Sequence, residues 1–154
     1  MSDKNYYLSI GSNIEPQKNI PACLTLLKSC YPAIRLSLIY ETDPVGPAGT
    51  KKFWNCAAVI STAETTEGLR GTLRKIESQL GRVRSPDNRF LPRVIDIDIL
   101  PQPDYETQAF IMIPLAEIAP RDRDKKTGKT FAELAEGLRD KASGFKKMSA
   151  QTFA

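Results

Sequence analysis

From Val94 to Leu100 the chain reads Val-Ile-Asp-Ile-Asp-Ile-Leu, an alternation that a β-strand with one apolar and one polar face satisfies. Side chains two residues apart share a face, so Ile95, Ile97 and Ile99 turn one way and Asp96 and Asp98 the other. The two aspartate Cα atoms should lie about 6.6 Å apart, two strand rises. Aspartate is depleted in strands, and neighbouring like charges repel unless something neutralises them. An isolated D-x-D is most often a solvated strand face, so the surroundings decide. Two carboxylates on one rigid face can also grip one or two hard cations. Magnesium prefers a couple of carboxylates, several waters and substrate phosphate oxygens.

The rest of the chain supplies a frame for that strand. Tyr6 to Ile10 reads as a strand stopped by Gly11-Ser12-Asn13. A helix follows from near Pro16, with Ile20, Cys23, Leu24 and Leu27 at helical spacing, and Pro32 ends it. Ile34 to Tyr40 alternates as a second strand, Glu41 to Lys52 is a loop, and Phe53 to Thr62 is a third strand. Thr65 or Thr66 caps a second helix whose core face is Leu69, Leu73, Ile76 and Leu80. Gly81 to Pro92 is a loop dense in arginine. The order is β-α-β-β-α-β, the split arrangement of an α+β, ferredoxin-like sandwich with a C-terminal extension. That extension holds a short apolar piece, Phe110 to Ile113, and a charged stretch, Arg121 to Lys129. A helix begins after Thr130, where Glu133 completes a capping box. At 154 residues the chain reads as one domain, 1–154, with a tail from about residue 141 expected to fray.

Composition narrows the chemistry. There is no histidine, which removes Ser-His-Asp triads and H-E-x-x-H zinc sites. Catalysis must use carboxylates, cations, backbone or a hard metal. A net charge of +4 suits an anionic small molecule at least as well as a nucleic acid. No aromatic-rich RNP-like strand appears. Cys23, Cys30 and Cys56 form no C-x-x-C pair, which fits reduced, buried thiols in a cytosolic protein. Neither a signal core behind the polar N-terminus nor an apolar run of membrane-spanning length is present in the sequence.

Four arginines, Arg82, Arg84, Arg89 and Arg93, lead into the D-x-D strand. Guanidinium forks bind phosphate oxygens bidentately and keep their charge. Cations beside paired carboxylates are what a polyphosphate and its metal would need. Asn55, a polar handle on an apolar strand, and Phe53, a flat surface beside it, suit a planar heterocycle or, equally, a core. Gly128-Lys129-Thr130 looks like the end of a Walker A loop, but Arg123 stands where the leading glycine would fall. A turn and a helix cap explain it better.

Taken together these residues resemble hydroxymethyldihydropterin pyrophosphokinase, over about Tyr7 to Leu138. The matching pieces are Leu8 to Asn13, Tyr40 to Pro47, Asn55 to Ala58, Glu77, Gly81 to Arg84, Pro92-Arg93, Asp96 to Leu100, and Pro114 to Pro120. The resemblance implies a cytoplasmic enzyme of folate biosynthesis. It would transfer pyrophosphate from ATP to the hydroxymethyl group of 6-hydroxymethyl-7,8-dihydropterin and release AMP. It implies that Asp96 and Asp98 hold two magnesium ions and that Arg82 and Arg93 bind phosphate. Glu77, Arg84 and Ile99 would lie near the nucleotide. Thr42, Pro44, Val45, Phe53, Asn55 and Phe110 would line the pterin pocket.

The chain departs from the family pattern beyond Leu100. A hairpin usual there is missing, and Leu100 runs into Pro101-Gln102-Pro103. Gln102 stands where the family has a histidine and Gln108 where it has an arginine. The arginine loop is one residue longer, with Phe90-Leu91 in place of Trp-Gly. These changes imply a slower enzyme or a nucleotide held differently. Two other readings stay open: a relative that binds pterin or nucleotide without turnover, and a basic ferredoxin-like module for RNA or protein. Oligomeric state is not legible in the sequence.

Overall fold

The computed structural model describes residues 3–42, 52–82 and 94–148. The elements are β1 (Lys4–Ser12), α1 (Pro16–Cys30), β2 (Arg35–Leu36), β3 (Tyr40–Thr42), β4 (Phe53–Thr62), α2 (Thr66–Gln79), β5 (Asp96–Leu100), α3 (Ala109–Ile118), α4 (Phe131–Glu136) and β6 (Lys146–Lys147). Short 3-10 turns cover Tyr105–Thr107 and Arg139–Ala142. The sheet runs β5-β1-β4-β3-β6, with β2 also on β4, and every pairing is antiparallel. With β2 and β3 taken as one broken strand, this is the ferredoxin-like order anticipated above.

Period-two patterning splits the sheet into two faces. Tyr6, Leu8, Ile10, Cys56, Ala58, Ile60, Ile95 and Ile97 turn toward one core, closed by the apolar stripes of α1 and α2. Ala57, Val59 and Leu100 turn toward a second core, closed by α3 and α4. A sheet with helices on both faces must be apolar on both, and β4 is buried from Asn55 to Ile60.

Several expectations change. Gly11 and Ser12 do not stop β1. They pair with Asn55 and Trp54 inside it. The expected second strand is broken in two, because β2 pairs Leu36 with Ala58 while β3 pairs Tyr40 with Asn55. Three residues therefore stand opposite two, a β-bulge. Phe110 to Ile113 lies within the ten-residue helix α3. It is apolar on all sides and encloses Pro114, so neither helical periodicity nor propensity announced it. Thr130 does cap α4 in a capping box with Glu133. The stretch from about residue 141 carries β6, whose Lys147 and Lys146 pair with Tyr40 and Glu41. Cys23 and Cys56 are buried thiols, whereas Cys30 is exposed. Burial pushes the Cys56 thiol up to about 12.

Candidate active site

Register brings the predicted polar residues onto one face. Gly11 sits between Asn55 on β4 and Asp96 on β5, and Ser9 sits between Ala57 and Asp98. Alternation turns Ser9, Gly11, Asn55, Asp96 and Asp98 toward the α3 side. Asn55 and Asp96 are thus two strand spacings apart, roughly 10 Å, across a strand with no side chain at Gly11. The glycine is required by a close approach: a Cβ there would lie 2.8 Å from Asn55 Oδ1. A glycine inside an apolar strand pattern is the signal by which it could have been found.

Asn55 is buried and donates from Nδ2 to Thr42 Oγ1 at 2.6 Å. That bond fixes the amide's orientation and presents its remaining polar atoms along the face. Phe53 is opposite Thr42 on β3, and Phe110, in the first turn of α3, packs against the second core. Thr42, Phe53, Asn55 and Phe110 thus all belong to the α3 side.

The cationic end is organised by Arg82. Its Nη1 donates to Glu77 Oε2 at 2.7 Å, to Asp96 Oδ1 at 2.6 Å and to the Ile95 carbonyl at 3.2 Å. Burial works against the guanidinium's charge, but Asp96 and Glu77 outweigh it and raise its pKa further. Glu77 is 1% exposed, and its Oε2 also accepts the Ile97 N–H at 2.8 Å. One buried carboxylate therefore ties the end of α2 to the start of β5 and to Arg82.

Glu77 and Ile99 do not share the aspartate face. Glu77 lies on the buried side of α2, and Ile99 packs against the first core. They meet Asp96 and Asp98 at β5, an edge strand of the sheet among the described residues. Arg84, Arg93, Pro44 and Val45 lie outside the described residues. Gln102 accepts the Tyr105 N–H through its carbonyl, and Gln108 accepts those of Ile111 and Met112 at the head of α3. Ser9 and Gly11 are additions that the sequence reading did not single out.

Asp96 and Asp98 are half-buried, carry hard oxygen donors and share a face. Among the described residues no group of three or more acidic or thiol side chains converges as a metal cage. Two carboxylates completed by waters and phosphate oxygens would be a donor set that magnesium takes and zinc does not favour.

A family model described as 7,8-dihydro-6-hydroxymethylpterin-pyrophosphokinase matches residues 7–120. Three similar proteins are each called 2-amino-4-hydroxy-6-hydroxymethyldihydropteridine pyrophosphokinase. That of Pseudomonas aeruginosa is 36% identical over 146 residues, covering 83% of this chain and 88% of its own. That of Methylorubrum extorquens is 37% identical over 131 residues, with 74% and 82% covered. That of Bacillus subtilis is 33% identical over 129 residues, with 73% and 76% covered.

Proposed function

We propose, from the premise that this chain belongs to the 7,8-dihydro-6-hydroxymethylpterin-pyrophosphokinase family, that its reaction runs on the sheet face between Asn55 and the Asp96–Asp98 pair. The enzyme transfers pyrophosphate from ATP to the hydroxymethyl group of 6-hydroxymethyl-7,8-dihydropterin in folate biosynthesis, releasing AMP. Phosphoryl transfer asks a protein mainly for positioning and charge neutralisation, so a chain without histidine can do it.

In this reading Asn55 reads the polar edge of the pterin, with Thr42 holding its amide. Phe53 and Phe110 supply the flat walls, and Pro44 and Val45 complete the pocket. Asp96 and Asp98 would hold two magnesium ions. When bound, these neutralise the charge on the transferred phosphates. Arg82 and Arg93 bind phosphate, with Arg82 pre-set by Glu77. Glu77 and Ile99 border the nucleotide at the β5 edge, and Arg84 is the third nucleotide contact of this reading. A cytosolic location belongs to the same proposal, supported by three cysteines that remain thiols.

The observation that supports this reading is the shared face: Asn55, Asp96 and Asp98 lie on one surface, with Gly11 between Asn55 and Asp96 and Ser9 opposite Asp98. The test is AMP release from ATP, magnesium and the pterin alcohol. Asp96→Asn or Asp98→Asn should cut kcat by roughly 10²-fold or more, the scale of losing one electrostatic stabiliser. No AMP from the unaltered protein above background would refute the proposal. An Asp96→Asn protein with unchanged magnesium dependence would place the metal elsewhere.

A further inference from the structure

The bulge between β2 and β3 leaves backbone groups that ladder pairing does not use, and several of them find partners elsewhere. Ser37 N–H donates to the Ala57 carbonyl at 2.9 Å. The Ala57 N–H donates to Ser37 Oγ at 2.8 Å, and that hydroxyl donates in turn to the Leu38 carbonyl at 2.8 Å. The Ile39 carbonyl accepts the Met148 N–H at 2.8 Å. The Leu38 N–H has left the sheet: it donates to Glu117 Oε1 on α3 at 2.6 Å. The other oxygen of that carboxylate accepts the Tyr40 hydroxyl proton. One carboxylate on α3 thus holds the residue inside the bulge and the first residue beyond it.

The register beyond the bulge matters for the site. Were the pairing of Leu36 with Ala58 continued without the extra residue, Asn55 would oppose Ile39 in place of Tyr40. A slip of one residue turns every side chain of a strand to the other face. Thr42 would then leave the side of the sheet that holds Asn55, and the bond that orients the amide would be lost. We infer that Glu117 is a positioning residue for the pterin pocket: by holding Leu38 and Tyr40 it fixes the bulge that places Thr42 beside Asn55. This rests on the pterin reading of the Asn55 end and names what holds that end in place.

Glu117→Ala removes both acceptors. Glu117→Gln keeps an acceptor for the Leu38 N–H and can donate to the Tyr40 oxygen, so it conserves both links. For Glu117→Ala, the KM of the pterin alcohol and its calorimetric Kd without ATP should rise about tenfold, while the KM of ATP stays within about twofold. Glu117→Gln should bring the pterin constants back to within about threefold of the unaltered protein. Equal changes in both substrates, a loss of melting temperature alone, or no recovery in Glu117→Gln would overturn the inference. Tyr40→Phe removes the hydroxyl link to Glu117 and leaves the carboxylate in place; it carries the same expectation and replaces Glu117→Ala if that variant does not fold. The unaltered protein separates the two claims. If it binds no pterin and releases no AMP, the proposed function fails; if it does both and Glu117→Ala binds pterin equally well, only the role of Glu117 fails.

Discussion

Arg82 is held at one guanidinium nitrogen by Glu77, Asp96 and a backbone carbonyl, with its side chain 11% exposed. Ion pairs this enclosed cost more to break than they contributed on forming, because the partner charge stays behind in a poor solvent. Arg82→Ala should therefore lower unfolding free energy by about 3 kcal/mol in urea titrations. A loss below about 1 kcal/mol would show that the cluster is solvated like a surface pair. Glu64 makes a pH-dependent contribution of the opposite kind. It accepts hydroxyl protons from Tyr31, Thr72 and Thr62, and the Tyr31 bond, ahead of burial, lowers its pKa below the ordinary 4.5. The folded state then binds this proton less readily than the unfolded state, so the contribution is complete above 4.5 and fades as pH falls through the lowered value. Glu64→Gln should lower stability in urea titrations near neutral pH, and its deficit should shrink as pH falls from neutral through the lowered value. A deficit that stayed constant over that range would mean that charge has no part in it.

Local chemistry sets the ends of the helices. Thr65 Oγ1 accepts the Gly68 N–H of α2, and Thr130 and Glu133 satisfy each other's backbone donors at α4. α4 is only six residues long, too short to persist without its cap and its packing. Thr130→Ala should destabilise by about 1 kcal/mol, measurable by urea titration, without moving either substrate constant. The strands behave differently. β2 and β3 cannot be told apart in Ile34 to Tyr40, since both are short and apolar at alternate positions. Their division comes from α3, which supplies the carboxylate that a bulged N–H needs.

Across the described residues, α1 and α2 pack on one face of the sheet and α3 and α4 on the other. The strip of Ser9, Gly11, Asn55, Asp96 and Asp98 lies on the face that carries α3 and α4. β6 completes the assembly from the far edge. It pairs with β3, and Lys147 Nζ stands 5.9 Å above the Tyr40 ring. Truncation after Gly144 would uncover the edge of the strand that carries Thr42. Hydrogen exchange at residues 39–42 should then accelerate by roughly tenfold or more, with slower changes in the β1–β4 centre. Unchanged protection would mean that β6 does not hold that edge.

Much of this was legible in the residues themselves. The alternation at Val94 to Leu100 announced its strand, the stripes of α1 and α2 announced their helices, and Thr130-x-x-Glu133 announced its cap. Each is a local pattern, written within a few residues by the periods of two and 3.6. The pairing of aspartates with arginines was legible in part: Arg82 to Asp96 is realised, but Glu77 had to fold under β5 to hold it. Gly11 read as a turn because its reason lies in Asn55, 44 residues away on another strand. Leu38 carried no local mark of a bulge because its partner, Glu117, is separated from it by 79 residues. Sequence by itself set which residues alternate, cap and carry charge. Which of them meet was settled by register, and register depends on contacts between segments that no local period records.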